Sequence, residues 1–386
     1  MIDADAHVTE PRDVWSARLP AKWQDLAPQV KTDDEGFDYW LINGEKAFRI
    51  GGSAPAGYAD PWPSHPKGYA DMVPAAYDAT ARLAALDEAG LWAQVIYPNV
   101  GGFGSQRFQA MPEEALRIAC VRAYNDWLAE WCGTDSRRLI GAMSIPFWDI
   151  DATVAEIERG KELGHKAIIF TGEPQRWGLP FFSDPHWDPL WRTAEETGLS
   201  VSFHLGSGDM DGHLRSPRIQ IQGGEYAAAL TTISLFLENA AQVTDFLMSG
   251  VLPRFPGLHV VSVESGAGWV PFVLQSVDRG FEHFELYKRF PQYEAAPSEY
   301  FKRQMSACFL GDETISSELV DIVGEDALMF ETDFPHPLSL HGDLSAVTAV
   351  SLAEQDEDRR HRLTWANAAR LYDVHAPDGE LAGVAP

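Results

Sequence analysis

Short apolar runs alternate with segments of helical spacing along most of the chain. In a segment such as 78–91 the apolar residues recur every three or four positions, as Leu83 and Leu86 do, which is typical of an amphipathic helix. The intervening runs are almost continuously apolar, which is typical of buried strands. The predicted strands are the segment up to His7, 93–98, 139–146, 166–170, 199–204, 258–264, 306–310 and 327–332. The predicted helices are 78–91, 112–131, 151–163, 184–197, 227–249, 269–284, 314–323 and 345–372.

This alternation predicts an α/β fold built on one parallel sheet, because parallel strands need a crossover helix between them. Eight strands separated by helices favour a (β/α)₈ barrel of the TIM type. A doubly wound open sheet is the alternative, but no Gly-x-Gly-x-x-Gly follows the first strand. We therefore expect one barrel domain that covers residues 1–386.

Residues 12–75 interrupt the alternation and are predicted to be an insertion after the first strand. Segment 37–50 has the pattern of a β-hairpin with Asn43-Gly44 at its turn, and 51–75 is a loop rich in Gly, Pro and Ala. The insertion is too short to build a strong core of its own. We expect it on the catalytic face of the barrel, where a lid and a plain surface excursion are both open alternatives.

Composition excludes several classes of function. A net charge of −27 argues against nucleic-acid binding, which needs patches of Lys and Arg. Three cysteines without tight spacing provide neither a disulfide framework nor a cysteine zinc site. No basic and apolar leader precedes Asp3, and no apolar run is long enough to cross a membrane, so we expect a cytoplasmic protein. In so acidic a chain, an anionic substrate would need a local positive charge such as a metal ion.

Residues that commonly bind metals stand at the ends of four predicted strands. Asp5 and His7 are two apart, so they share one face of the first strand. His204, Glu264 and Asp333 end three further strands, and the carboxyl ends of barrel strands converge on one mouth. Carboxylate and imidazole ligands accept Zn²⁺, Mn²⁺ or Fe²⁺. The other strand ends offer no good ligand; they are Pro98-Asn99, Ile145-Pro146, Phe170-Thr171 and Leu310-Gly311.

Four pieces of sequence resemble the metal-dependent amidohydrolase superfamily. They are most similar to the branch that includes aminocarboxymuconate-semialdehyde decarboxylase and the resorcylate decarboxylases. The resemblance implies a divalent metal held by Asp5, His7, His204 and Asp333, and it favours a homodimer. The matching pieces are Asp3-Ala-Asp-Ala-His7-Val-Thr-Glu-Pro11, Ser202-Phe-His204, Glu264-Ser-Gly-Ala-Gly-Trp-Val-Pro271 and Thr332-Asp333-Phe-Pro-His336.

Glu264 departs from this branch, which usually has a histidine at that position. Two-metal members of the superfamily often use a lysine at the end of the fourth strand, but Lys166 lies at the opposite end of 166–170. A second metal would therefore need Glu264 as a bridging ligand, and we expect one or two ions of Zn, Fe or Mn. A salt bridge or a helix cap is the structural alternative for Glu264. A site role is favoured because Gly266 and Gly268 would let a ligand approach the backbone.

Five further residues are candidates for substrate contacts. His336 follows Asp333 in a turn stiffened by prolines, although a structural histidine would look the same. His213 and Arg215 lie in the long loop after the fifth strand and could bind a carboxylate or be solvated. Trp177 and Trp269 could line the pocket, although tryptophan most often belongs to the core.

The leading hypothesis for function is a metal-dependent hydrolase that cleaves an acyl bond of a small carboxyl derivative: an amide, ester, thioester or C–C bond. Metal-bound water would be the nucleophile, Asp333 would take its proton, and Glu264 would be a second base or ligand. The alternative is non-oxidative decarboxylation of an aromatic or enoic acid, as the resemblance implies. A non-catalytic metal-binding protein is a third class, disfavoured because ligands at a barrel mouth leave an open coordination position.

Overall fold

Eight parallel strands form the central sheet of the computed structural model, which describes residues 1–60, 63–208, 210 and 217–376. Each strand pairs with the next along the chain, and Ala6 bridges to Phe334 just beyond the last strand. The sheet is therefore closed, and the prediction of a (β/α)₈ barrel is confirmed. The strands are β1 (Ile2–His7), β2 (Ala93–Tyr97), β3 (Leu139–Ser144), β4 (Ala167–Ile169), β5 (Ser200–His204), β6 (Val260–Val263), β7 (Met305–Leu310) and β8 (Leu328–Glu331).

Helices cover the outside of the barrel. Several begin at a side-chain cap, as where Asp149 Oδ1 accepts a hydrogen bond of 3.0 Å from the Ala152 amide. None of the described helices is both long and apolar enough to span a bilayer. The α-helices are Ala79–Ala89, Gln106–Gln109, Glu114–Cys132, Ile150–Glu162, Asp188–Thr197, Arg218–Gln222, Gly224–Met248, Val251–Arg254, Val270–His283, Leu286–Arg289, Pro297–Gln304, Ser317–Val323, Leu344–Ser351, Glu357–His361 and Asn367–Tyr372.

The C-terminal part of the chain differs from the sequence prediction in two places. The long helix predicted over 345–372 is broken: Leu344–Ser351 ends before Asp356, whose side chain caps a new helix by accepting from the Arg359 amide. A π-helical segment, Arg362–Ala366, then follows. Helix Pro297–Gln304 was not predicted. Its sequence is strongly polar, so the few residues of its buried face do not produce a clear apolar pattern.

The insertion contains a small antiparallel sheet. The predicted hairpin is present as Asp38–Ile42 and Glu45–Arg49, and both Asn43 and Gly44 have positive φ, as a type I′ turn requires. A third strand, Gln29–Thr32, was not predicted. The Ala56 amide donates to the carbonyl of Pro335 over 3.2 Å, so the insertion contacts the loop that follows β8. Its action as a lid stays a prediction.

Candidate active site

Six side chains of the types that bind metals converge at the carboxyl ends of the barrel strands. They form two overlapping groups of four, and within each group one ligand atom per residue lies within 4.8 Å of the others. All are buried except Glu264, whose side chain is 16% exposed and therefore faces the mouth. One group consists of Asp5, His7, His204 and Glu264, and the other of His7, Glu264, Asp333 and His336.

Two imidazole nitrogens of this cluster point directly at each other. Nε2 of His7 lies 3.1 Å from Nε2 of His204. The opposite nitrogens, both Nδ1, lie 3.1 Å from the carbonyl of Pro98 and 2.8 Å from that of Leu205. A carbonyl oxygen only accepts hydrogen bonds, so each Nδ1 carries a proton and each neutral ring turns its Nε2 lone pair toward the other. Two lone pairs at this distance repel each other unless a shared proton or a metal ion offsets them.

The Asp5 carboxylate lies next to these two rings. Both side-chain oxygens of Asp5 are buried, and no residue in the described part of the chain donates a hydrogen bond to them. Asp5 Oδ1 lies 3.4 Å from His204 Nε2 and 3.6 Å from His7 Nε2. A buried carboxylate without donors is costly unless a cation compensates it. The donor set of this site therefore fits a divalent metal.

The pKa shifts of the cluster indicate that it favours positive charge. Burial and the Asp333 carboxylate raise the pKa of Glu264 well above its ordinary value, and burial and Asp5 raise the pKa of Asp333. Burial alone would lower the pKa of His204, but the charges of Asp5 and Glu264 outweigh it and raise that pKa. Protons on these groups offset the negative charge that the buried carboxylates bring to the cluster.

Asn99 fixes the orientation of His336. The Asn99 amide nitrogen donates to the Val8 carbonyl over 2.9 Å, so its oxygen faces Nε2 of His336 at 2.8 Å. Nε2 of His336 is therefore the protonated nitrogen, and its Nδ1 lone pair faces Oδ1 of Asp333 at 2.7 Å. The His336 ring also stacks on His7 with centroids 3.9 Å apart. His336, predicted as a substrate contact, thus lies within the ligand cluster.

Phe103 covers the two facing histidines from the loop after β2. Its ring stacks on His204 at 4.5 Å and meets His7 edge-on at 5.2 Å. The loop is tightly fitted: a Cβ atom on Gly104 would lie 2.9 Å from the Thr171 backbone nitrogen. Phe103 was missed in the sequence, because an aromatic residue in a glycine-rich loop carries no signal of where its ring points.

A buried network holds β1 against β8. Asp3 accepts hydrogen bonds from the Thr332 amide (2.9 Å) and from the Gln94 side chain (2.8 Å). Arg82 donates to Gln94 over 3.0 Å and to the carbonyl of His7 over 2.7 Å. These contacts fix the strand that carries Asp5 and His7 relative to the strand that precedes Asp333.

Glu264 stands in a constrained turn. Its φ is +56°, which is unusual for a residue other than glycine, and its amide donates to Oε2 of the buried Glu331 over 3.0 Å. The predicted use of Gly266 and Gly268 needs correction: the space beside them holds the Glu313 carboxylate, which accepts from the Gly268 amide over 2.7 Å. Glu313 and Glu331 were both missed: Glu331 is the last residue of β8, but Asp333 was taken as the ligand of that strand end, and Glu313 lies in the loop three residues after β7.

The other residues considered in the sequence analysis lie away from the ligand cluster or outside the residues that the structure describes. Trp269 is half-buried and donates from Nε1 to the Ser265 carbonyl over 2.9 Å, and Trp177 is half-buried against the core, so a substrate contact for either stays a prediction. His213 and Arg215 lie outside the described residues. Lys166 pairs with Asp373 over 3.2 Å, at the amino end of β4 and away from the cluster.

Comparison with known proteins gives matches along almost the whole chain. The sequence profile of the amidohydrolase family matches residues 2–374. A curated relative, gamma-resorcylate decarboxylase of Rhizobium sp. (strain MTP-10005), is 26% identical over 303 residues, which are 76% of this chain and 86% of the relative. A solved amidohydrolase from Mycobacterium avium subsp. paratuberculosis K-10 has a TM-score of 0.75 and 21% identity, with 96% of this chain and 98% of that chain covered. A dihydroxybenzoic acid decarboxylase from Polaromonas sp. JS666, solved with manganese and the inhibitor 2-nitroresorcinol, has a TM-score of 0.61 and 17% identity, with 97% of each chain covered.

These matches correct one prediction and confirm another. The prediction of an acyl-bond hydrolase is wrong, because the curated relative that spans most of the chain is a decarboxylase. The resemblance drawn from the four sequence pieces is confirmed, since the family profile covers the barrel from β1 to beyond Tyr372. The chain belongs to the amidohydrolase family.

Proposed function

We propose that the protein is a metal-dependent, non-oxidative decarboxylase of a small aromatic or enoic carboxylic acid. The observation that carries the proposal is the pair of facing lone pairs on His7 and His204, set among buried carboxylates at the barrel mouth. The decarboxylase relative at 26% identity supports this reaction over other chemistry of the family.

Asp5, His7, His204 and Asp333 are the residues that would hold the metal ion. When bound, a divalent ion supplies positive charge that holds the substrate carboxylate and a neighbouring oxygen. The two overlapping ligand groups share His7 and Glu264. A second ion would use the Glu264 carboxylate, which the proposed acid needs in its protonated form, so one ion per chain is the proposed active state. Manganese is the first metal to test, because the Polaromonas decarboxylase of the same fold was solved with it; Zn²⁺ and Fe²⁺ suit the same ligands.

Glu264 is the proposed acid. It is the most exposed carboxyl group of the cluster, and its raised pKa lets it hold a proton. Glu264 transfers that proton to the carbon that bears the carboxylate. The bond from this carbon to the carboxylate then breaks, its electron pair stays with the substrate carbon, and CO₂ leaves. Solvent returns a proton to Glu264, so the substrate carboxylate plus one proton yields the decarboxylated product and CO₂.

Phe103 favours a planar substrate. Its ring forms an apolar wall next to His204, and flat aromatic or conjugated acids pack well against such a wall. The site is also closed to bulk water around the ligands, since Asp5, His7 and His204 are fully buried. A dry site with a positioned acid suits protonation of carbon rather than attack by water.

A product assay tests the proposal. Metal-stripped protein is reloaded with Mn²⁺ and incubated in D₂O with 2,6-dihydroxybenzoate, other ortho-hydroxybenzoates and conjugated enoic acids. We expect CO₂ release from at least one acid, with one deuterium at the carbon that lost the carboxyl group. Cleavage of amides or esters without CO₂ release from any acid would contradict the proposal.

A further inference from the structure

Two side chains of opposite charge hold the backbone of Asn99 from its two ends. Oε1 of Glu10 accepts hydrogen bonds from the Asn99 amide over 2.8 Å and from the Val100 amide over 3.0 Å. Nη1 of Arg107 donates to the Asn99 carbonyl over 2.9 Å. The side-chain nitrogen of Asn99 is itself bonded to a backbone carbonyl, so only Oδ1 is left to face His336.

Glu10 is a costly group to bury. Its side chain is fully buried, and within the described ranges its second oxygen, Oε2, has no hydrogen-bond partner. Burial raises the pKa of Glu10 to about 7, although the two amides and the charge of Arg107 act in the opposite direction. A buried carboxylate that bonds only to a loop contributes little to stability, and such exceptions are expected at functional sites.

The insertion contacts both residues that hold Asn99. Phe48, on the hairpin strand Glu45–Arg49, lies under the Arg107 guanidinium, whose carbon is 4.7 Å from the centroid of the ring. Tyr69 donates from its hydroxyl to the Glu10 carbonyl over 2.6 Å. A guanidinium held over an aromatic ring is restricted in orientation. A continuous set of contacts therefore joins the insertion to the ligand cluster through Asn99.

We propose that Glu10 and Arg107 are positioning residues, through which the insertion orients His336 in the ligand cluster. Oδ1 of Asn99 moves with the backbone of its residue, so loss of either contact shifts it away from Nε2 of His336. The ring of His336 then loses the acceptor that selects its protonated nitrogen. The proposal rests on the proposed metal site but not on the proposed reaction, and it needs no opening or closing of the insertion.

A plain structural role for the same residues predicts a different outcome. If Glu10 only stabilised the fold, its loss would weaken metal binding by the same factor whether or not Asn99 is present. If Glu10 acts through Asn99, its loss should have no further effect once the Asn99 side chain is removed. A double-mutant cycle separates the two cases, because residues that act through one contact are not additive.

Competition with a chelator gives the Mn²⁺ affinity for this cycle. Glu10→Leu should weaken binding about tenfold, and Glu10→Gln, which keeps the Oε1 acceptor, should restore most of the affinity. Glu10→Leu/Asn99→Ala should bind no more weakly than Asn99→Ala alone. The control is Glu156→Leu, at a buried glutamate that accepts from Asn125 over 2.7 Å and lies remote from the mouth. It should bind as the wild type, and circular dichroism verifies that each variant is folded.

The contribution of the insertion is tested at Phe48. Phe48→Leu should weaken Mn²⁺ binding by about two- to fivefold, and this loss should vanish when Asn99 is replaced with Ala. Phe37→Leu is the matched control, because Phe37 lies in the same insertion under a different guanidinium, that of Arg49, at 4.0 Å. It should leave the affinity unchanged.

A second readout does not require metal. Nitrogen–proton correlation spectra of metal-free, ¹⁵N-histidine-labelled protein show which ring nitrogen of His336 carries the proton, and His336→Gln identifies its signals. In the wild type the proton should be on Nε2, whereas Glu10→Leu and Phe48→Leu should populate the form protonated on Nδ1.

Four results would each overturn the proposal. They are a Glu10→Leu protein with the affinity and His336 signals of the wild type, a Phe48→Leu protein with both unchanged, losses that add to that of Asn99→Ala, and controls that lose as much affinity. A wild type that binds no Mn²⁺ or releases no CO₂ would refute the proposed function instead, because the His336 signals still test the positioning.

Discussion

The carboxylate of Glu313 lies where a side chain on Gly266 would have to go: a Cβ atom there would be 3.0 Å from Oε2 of Glu313. Glu313 also binds the Ala267 and Gly268 amides. It therefore holds the loop that follows Glu264, and this loop sets where the proposed acid points.

Replacing Gly266 with Ala should destabilise the fold and reduce turnover. Gly266 has φ +67°, so a side chain costs about 1–2 kcal/mol in backbone strain, and displacement of Glu313 should lower kcat about tenfold or more by misplacing Glu264. Gly90→Ala is the matched control, since Gly90 has φ +72° and nothing within 4 Å of its added Cβ. Urea unfolding and kcat are measured for both variants. Equal loss of kcat in the two would show that the contact with Glu313 does not matter.

Replacing Asn99 with Ala should weaken metal binding. The variant loses the acceptor that orients His336, and loss of such supporting contacts typically costs 10–100-fold in metal affinity or activity. Asn125→Ala is the control, because Asn125 is equally buried and bonded but touches none of the ligands. Competition with a chelator gives the metal affinity. An affinity for Asn99→Ala as high as that of the control would refute the orienting contact.

Replacing Glu264 with Gln should remove the proton donor while keeping the shape of the side chain. Loss of an acid typically lowers kcat by about 10²–10⁴-fold. Because Glu264 must be protonated to act as the acid, wild-type kcat should fall as pH rises through its pKa in the metal-loaded enzyme. The variant should lack this limb and retain at least one metal ion. Glu156→Gln, at a buried glutamate remote from the mouth, serves as the control. A Glu264→Gln enzyme with the kcat and pH profile of the wild type would exclude Glu264 as the acid.

His259 should make stability depend on pH. Burial and the charge of Arg370 lower the pKa of His259 to about 4, compared with about 6.5 in the unfolded chain. Between these values the unfolded chain binds a proton that the folded chain does not, so stability is full above pH 6.5 and falls as pH drops toward 4. His259→Gln should reduce the difference in unfolding free energy between pH 7.5 and pH 5 by about 2 kcal/mol.

Urea unfolding at the two pH values measures this difference. The control His283→Gln changes an exposed histidine and should leave it as in the wild type. A pH dependence that is the same in His259→Gln and in the wild type would contradict the assignment.

The sequence was sufficient to predict which strand ends meet. The apolar runs before His204, Glu264 and Asp333 are nearly continuous, so the barrel and its mouth followed from the alternation alone. The contacts that orient the ligands could not be predicted in the same way. Asn99, Phe103 and Glu313 act through loops, and loop geometry depends on tertiary packing rather than on periodicity.

The reaction was the hardest property to predict from the residues. A cluster of Asp5, His7, His204 and Asp333 suits both water activation and the binding of a substrate carboxylate, because both need only a Lewis acid. Glu264 was interpreted as a sign of hydrolysis since it can bridge two metals. The same side chain, next to Asp333 and with a raised pKa, is equally able to donate a proton to carbon.

The most direct test of the account is a titration of the metal-free protein with Mn²⁺, in which bound metal and CO₂ release from a substrate acid are measured in the same samples. The rate should rise with bound metal and level off at one ion per chain. His204→Ala should bind little metal and release no CO₂. His165→Ala changes a buried histidine whose Nε2 lies 3.1 Å from the Asn125 carbonyl, and it should behave as the wild type. A rate that does not depend on bound metal, or a His204→Ala protein that binds Mn²⁺ and turns over like the wild type, would contradict it.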